Sequence, residues 1–270
     1  MLNINYKFIQ KFALNQAGIA LDDDKKYFVE TRLYPIIKAE GYRNIDDLVI
    51  QMKLPNSGRL HDKIIDALTT NETLFFRDYH YFDGLRKSFI PHLMECRKHS
   101  KQMRVWSCAC SSGQEPYSFA ILLREYFPEL CNWNVDITGT DLSSSILNKA
   151  KDAVYSQMEV NRGLPINLLV KYFTQTADGW ELNPQVRKMV DFKRMNIIKD
   201  SITFNNIDVI FIRNVLYYFT EEQKDKVLER LHSVLSPEGI LLLGGTETMP
   251  NMEKLFQKNM DGRFIYYTPR

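Results

Sequence analysis

The stretch Met103–Phe127, MRVWSCACSSGQEPYSFAILLREYF, decides the fold. Its opening, Met103–Ser107, is a short apolar run of strand length. Pro116–Phe127 repeats apolar residues at helical spacing, with proline in the first turn, where its fixed φ is preorganised. Small residues fill the space between, and the acid Glu115 stands at the helix start. Strand, tight turn and helix form the first unit of an α/β sheet. The rhythm recurs downstream. Val135–Gly139 reads as a strand before a helix over Ser144–Ala150, and Met189–Arg194 and Ile207–Ile212 read as further strands. Thr220 with Gln223 makes a capping box for a helix that places Val227, Leu228, Leu231, Val234 and Leu235 on one face. Ser236-Pro237-Glu238-Gly239 turns the chain into Ile240–Leu243, and Phe264–Thr268 is a last strand. Such alternation predicts right-handed crossovers and a mostly parallel, doubly wound sheet.

Upstream the pattern is helical throughout. Phe8, Ile9, Phe12 and Leu14 open it, and Tyr27–Ile37 carries a second amphipathic set. Asn44 stands like an N-cap before Ile45–Met52, and Leu60, Ile64, Ile65 and Leu68 mark a fourth helix after the turn Pro55–Gly58. Residues 155–190 interrupt the sheet rhythm with Gly163-Leu164-Pro165, Asp178-Gly179-Trp180 and Asn183-Pro184. The expected organisation is a helical domain over 1–70, a linker and first helix over 71–102, and a sheet domain over 103–270. A small β subdomain is expected as an insertion at about 170–195.

Composition narrows the class. The 270 residues are 44% hydrophobic and 25% charged, which excludes disordered, collagen-like and coiled-coil chains. Lys+Arg 35 against Asp+Glu 33 leaves +2, far from the basic balance of nucleic-acid domains. No apolar run reaches the ~18 residues of a membrane span, and the N-terminus lacks a signal-peptide core. None of the four cysteines, Cys96, Cys108, Cys110 and Cys131, forms C-x-x-C, so no metal site is expected. Cys108 and Cys110 would face one side of an extended strand and read as buried, reduced thiols. The expected setting is cytoplasmic.

In an open α/β sheet, ligands bind beyond the carboxyl ends of the strands. Four such ends carry candidates. The small-residue run Ser107–Gly113 lets a ligand approach the backbone closely, yet it is neither G-x-G-x-x-G nor a G-K-[ST] phosphate loop. Asp141, after the second strand, offers two acceptors to a vicinal diol, as a ribose-binding acid does. Asn196, after the third, supplies an amide where an adenine edge would lie. Arg213-Asn214 interrupts the apolar run Val209–Phe219, and a buried arginine requires a partner, read here as a ligand carboxylate. Together these ends describe an adenosine joined to an amino acid, which is S-adenosyl-L-methionine.

Three segments carry a family resemblance: Thr70-Asn71-Glu72-Thr73-Leu74-Phe75-Phe76-Arg77-Asp78, Val105–Ser118, and Phe211-Ile212-Arg213-Asn214-Val215-Leu216-Tyr217-Tyr218-Phe219. In order along the chain they resemble the chemotaxis receptor methyltransferases, the CheR family, and the likeness covers nearly the whole sequence, including Gly244-Gly245-Thr246-Glu247. The resemblance implies a Rossmann-like class I methyltransferase sheet with an all-helical N-terminal domain and a small inserted β subdomain. It implies methylation of glutamate side chains on chemoreceptors in adaptation, with S-adenosyl-L-methionine giving S-adenosyl-L-homocysteine. Residue by residue, it implies that Asn71, Thr73 and Arg77 contact the cofactor and that Glu115 lies at the methionine amino end. Asp141 falls on the ribose, Asn196 and Ile197 on the adenine, Arg213 and Asn214 in the cofactor site, and Tyr218 near the transferable methyl. Arg213 and Tyr218 are thus the catalytic candidates.

The sequence departs from the family pattern at Gln114, Cys108, Cys110 and Gly245-Thr246-Glu247. No Gly-Tyr-Gly occurs in residues 155–195, which argues against tethering to a receptor's C-terminal pentapeptide. Partners implied are methyl-accepting chemotaxis receptors, with recruitment to receptor arrays and no nucleic acid or membrane insertion. Docking is expected through Lys25, Lys26, Arg32, Lys38 and Arg43. A glutamate acceptor, pKa ≈ 4.3, is already an anion at neutrality, so no base is required. That agrees with the scatter of His61, His80, His92, His99 and His232. Two alternatives stay open at this level: a nucleic-acid amino-methyltransferase, which would replace Arg213–Leu216 by Asn/Asp-Pro-Pro-aromatic, and a non-catalytic cofactor-binding homologue.

Overall fold

The computed structural model describes residues 1–249 and 251–270. The chain begins with helices α1 (Asn3–Ala17), α2 (Lys26–Ala39), α3 (Ile45–Met52) and α4 (Gly58–Leu68). Ile9, Val29, Leu33, Leu48, Val49 and Ile64 lose all solvent contact in a core of their own. Helix α1 stops at Gly18, whose φ of 74° suits the left-handed C-cap that returns its N–H to Ala13 and Leu14. Asn44 caps α3 as expected, its side chain accepting the Asp47 N–H at 2.9 Å.

Helix α5 (His80–Gly84) runs through a π-turn, Leu85–Phe89, into α6 (Ile90–Arg97). Then follow β1 (Gln102–Cys108), α7 (Gln114–Tyr126), β2 (Asn134–Asp141), α8 (Ser144–Asp152), β3 (Val154–Tyr155), α9 (Gln157–Asn161) and α10 (Ile166–Tyr172). The chain continues as β4 (Phe173–Thr176), β5 (Gly179–Leu182), α11 (Pro184–Arg187), β6 (Val190–Arg194), β7 (Ile207–Ile212) and α12 (Glu221–Val234). It closes with β8 (Leu235–Leu243), α13 (Met252–Leu255), β9 (Phe256–Asp261) and β10 (Phe264–Pro269).

The seven-stranded main sheet has the order β6-β2-β1-β7-β8-β10-β9. From β6 to β8 it is parallel, and β10 and β9 add an antiparallel edge. The chain winds outward from β1 in one direction and from β7 in the other. The switch point therefore lies between β1 and β7, where a doubly wound sheet opens its ligand crevice. Their strongly apolar sequences follow from burial on both faces, and all of β7 is buried.

Two features differ from the sequence expectation. The three-stranded antiparallel sheet, β3-β5-β4, begins at Val154 and ends at Leu182, earlier than residues 170–195, because Val190–Arg194 pairs with β2 in the main sheet. Strand β9 was not expected. Only Phe256 of its residues is buried, so an edge strand left no alternation to read, although Gly262 at φ 59° supplies the hairpin turn into β10. The Ser236–Gly239 turn exists as a bulge within β8, between the pairs Ile207–Leu235 and Val209–Ile240.

Candidate active site

A cavity lies over the carboxyl ends of β1, β2, β6 and β7. Every residue singled out from the sequence lines it: Asn71, Thr73, Arg77, Glu115, Asp141, Asn196, Ile197, Arg213, Asn214 and Tyr218. The sequence reading did not anticipate the far wall, which comes from Ala17, Ile19 and Leu68 at the ends of α1 and α4. Their place follows from tertiary docking, and no local pattern marks it.

The loop after β1 shows why small residues stand there. Ala109 and Ser111 hold φ of 57° and 52°, and Gly113 holds 88°, so the chain coils tightly before α7. Left-handed non-glycine residues cost energy and cluster where a site demands them; Asn214 in the cavity wall is another, and Phe76 and Asp78 in the linker hold the same conformation. Because Ala109 turns the chain, Cys108 and Cys110 do not share a side. They enter separate apolar clusters, both buried as free thiols. The linker is strapped across this loop by Ser111 Oγ donating to the Asn71 carbonyl (2.9 Å) and by the Phe76 N–H donating to Ser118 Oγ (2.9 Å). Beneath the loop Gly139 makes room for the Phe192 ring, since a Cβ there would stand 2.8 Å from it.

Asp141 is 8% exposed and accepts the N–H of Ser111 on one oxygen (2.8 Å) and of Ser143 on the other (3.0 Å). A carboxylate has about four acceptor positions, so each oxygen retains one for a hydroxyl. Burial raises its pKa, opposed by those amides and by the nearby Leu142 amide.

At β7 the sequence expectation needs correction. Arg213 is buried, but its charge is already matched within the protein. Nη1 donates to Glu115 Oε2 at 3.0 Å, and Nη2 donates to Asp78 Oδ2 at 2.6 Å and to the Arg77 carbonyl at 2.9 Å. Its guanidinium also lies 4.7 Å from the centre of the Tyr81 ring. Only Nε lacks a partner. Arg213 is therefore a hub that holds Glu115 and the linker, with no charge left over for a ligand carboxylate. Asp78, the acid that completes it, stands at the end of the linker segment Thr70–Asp78. Glu115 also accepts from Ser107 Oγ at 2.7 Å, and burial raises its pKa against the pull of Arg213 and Ser107. The cation that remains is Arg77. Among the described residues it has no carboxylate partner, and its one hydrogen bond is to the Glu72 carbonyl at 3.2 Å.

Asn196 also needs correction. Its Nδ2 donates to the Gln16 carbonyl (2.7 Å) and its Oδ1 accepts the Ile198 N–H (3.0 Å), so the side chain pins α1 to the sheet. The neighbouring Ile197 N–H has no hydrogen bond among the described residues and offers a donor at this wall. The whole donor set fits a nucleoside bearing an amino acid: an acid with spare acceptors, a free guanidinium, a backbone donor and a buried carboxylate.

Two family descriptions match the chain: "CheR methyltransferase, all-alpha domain" over residues 4–69 and "CheR methyltransferase, SAM binding domain" over 71–264. Curated relatives agree along most of the chain. Chemotaxis protein methyltransferase 1 of Pseudomonas aeruginosa is 35% identical over 261 residues, 94% of both chains. Chemotaxis protein methyltransferase Cher2 of Pseudomonas putida is 34% identical, again over 94% of each. The chemotaxis protein methyltransferase of Borreliella burgdorferi is 33% identical over 91% of this chain and 88% of its own. The fold class expected from the sequence is borne out: a class I S-adenosylmethionine methyltransferase sheet, mostly parallel, with an all-helical N-terminal domain and a small antiparallel sheet. The chain belongs to the CheR methyltransferase family.

Proposed function

We propose that this chain transfers a methyl group from S-adenosyl-L-methionine to glutamate side chains on the cytoplasmic regions of methyl-accepting chemotaxis receptors, giving methyl esters and S-adenosyl-L-homocysteine. One observation carries the reading: the residues singled out from five separate segments meet in one cavity at the sheet's switch point. In this reading Asp141 takes the ribose hydroxyls on its spare acceptors, and Asn196 and Ile197 flank the adenine with the Ile197 N–H as donor. Arg77 replaces Arg213 as the partner of the methionine carboxylate. Glu115, held by Arg213, faces the amino group, while Asn71, Thr73 and Asn214 close the sides.

The bound cofactor supplies a methyl already activated by its positive sulfur. The acceptor carboxylate is an anion at neutrality and needs no base. What the chain's residues do is hold, orient and dry the reacting groups, with Tyr218 at the mouth aligning the acceptor. Receptor docking falls to α2, where Tyr27 and Tyr34 are 79% and 63% exposed and share a stripe with Lys38. Arg32 stands on another face of α2, and Lys25, Lys26 and Arg43 lie at or beyond its ends. The turn between β4 and β5 is Ala177-Asp178, which supports action without a pentapeptide tether. On this reading the chain works in the cytoplasm, at receptor arrays.

The test is chemical. The chain is incubated with methyl-labelled cofactor and a receptor cytoplasmic fragment, and base is added. Label released as methanol is expected, because esters hydrolyse in mild alkali; base-stable label would reject the ester and the receptor role together.

A further inference from the structure

Beyond β8 the chain reads Gly244-Gly245-Thr246-Glu247, and Glu247 is 8% exposed with no ion pair among the described residues. Its carboxylate is nevertheless fully engaged. Oε2 accepts the N–H of Asn214 at 2.6 Å and of Gly244 at 2.9 Å, and Oε1 accepts the N–H of Val215 and Leu216 at 2.7 Å each. Three of those amides, of Asn214, Val215 and Leu216, belong to the loop that leaves β7 and carries Asn214, Val215 and Tyr218 into the cavity wall. Asn214 there holds a left-handed φ of 60°, a conformation that needs a compensating contact. Gly244 makes room for the arrangement, since a Cβ would fall 2.6 Å from Glu247 Oε2 and 3.1 Å from the Asn214 nitrogen.

We infer that Glu247 is a positioning residue: a buried carboxylate that ties the Asn214, Val215 and Leu216 amides to that of Gly244 and so sets the shape of the Asn214–Tyr218 loop at the methyl-transfer end of the cavity. This deepens the proposed function and rests on it. Charge-assisted hydrogen bonds to backbone amides are among the stronger ones, and successive N–H groups curled around one anion form a nest. Glu247 fills from inside the protein a nest that elsewhere would take a ligand anion. The loop thereby gains a fixed curvature that its own sequence, Arg213-Asn214-Val215-Leu216, does not encode.

The chemistry predicts an unusual intolerance. Glu247→Gln keeps the shape but turns one acceptor into a donor, and that amide must then face two backbone N–H groups. Glu247→Asp keeps both acceptors and the charge on a shorter stem. Gly244→Ala displaces the carboxylate from the other side. The cofactor's adenosine half rests on Asp141 and Ile197, which none of these changes touches.

The experiment measures, for the full chain, cofactor affinity by calorimetry, kcat with a receptor fragment, and amide hydrogen exchange at residues 214–216. For Glu247→Gln the expected result is kcat lowered tenfold or more, cofactor affinity changed by no more than about threefold, and faster exchange at those amides. Gly244→Ala should follow it, and Glu247→Asp should recover part of the loss. Unchanged exchange in Glu247→Gln, or loss of affinity and kcat in equal proportion, would overturn the inference. If the Gln variant does not fold, Glu247→Asp decides it: an intermediate kcat with faster loop exchange supports the role, and wild-type values reject it. Should the wild-type chain fail to methylate the receptor, the functional reading falls, while exchange at residues 214–216 still decides whether Glu247 shapes the loop.

Discussion

Asp141 at the end of β2 and Glu247 beyond β8 make an instructive pair. Each is 8% exposed, and neither has a cationic partner among the described residues. Asp141 accepts two backbone N–H groups, whereas Glu247 accepts four. With about four acceptor positions on a carboxylate, the first has capacity left and the second has none. Burial and charge do not separate an acid that waits for a ligand from one that organises backbone. Counting lone pairs does.

A third arrangement, the carboxylates that do have a cation, gives the largest expected effect. Arg213 is the shared partner of Glu115 and Asp78, and its side chain is 1% exposed. Removing one member of a buried pair strands the other, so Arg213→Ala should lose about 3–5 kcal/mol of stability in urea unfolding. A loss under about 1 kcal/mol would show that the hub is not a structural centre and that the cation is reserved for a ligand after all.

Asp141→Ala comes next and tests the spare capacity directly. Two hydroxyl contacts at roughly 0.5–1.5 kcal/mol each correspond to cofactor binding weakened about tenfold, with the fold retained. Calorimetry that found unchanged affinity but a lowered melting temperature would place Asp141 with Glu247, and the distinction would collapse.

A titration sharpens the contrast further. Burial raises the carboxyls of Glu115 and Asp141. A raised acid favours its neutral form, so in the free protein these groups take up protons at a higher pH than ordinary carboxylates, and their ionised forms weigh against stability above that range. A ligand presenting an ammonium and a diol needs the ionised forms. Cofactor affinity should therefore fall as pH drops below neutrality, before exposed carboxylates titrate, with protons released on binding. Calorimetry in buffers of different ionisation enthalpy measures both, and a flat profile down to the ordinary carboxylate range would contradict it.

The smallest effect belongs to a surface remote from both acids. Reversing Arg32 and Lys38 on α2 should raise KM for a receptor fragment severalfold and leave cofactor affinity alone. If KM stays put, the receptor meets another face.

Much of this was legible in the residues. The strand–turn–helix units, Asp141 at a strand end and the family segments all rest on short-range pattern, whereas the strand order that sets the switch point does not. What escaped reading depended on partners distant in sequence. Arg213 signalled burial, but Asp78 and Glu115 were needed to show that its charge was spent. Asn196 signalled an amide at the right strand end, but Gln16 claimed it. Glu247 sat within a quoted motif and still gave no sign of the loop it organises, because its donors are backbone groups that any residue would provide.

The bond from Asn196 to Gln16 spans 180 residues of chain, and the Ala20 N–H similarly reaches the Tyr218 carbonyl. The helical segment leaves the ribosome first, yet the wall it gives the cavity has nothing to rest against until those later segments emerge. At ~5–20 residues per second the wait is roughly 9–36 s. During that interval the end of α1 is solvated and no complete ligand site exists. Competence to bind is thus timed by the segments from β6 onward, and a ribosome stalled before β7 would carry finished helices and no complete ligand site.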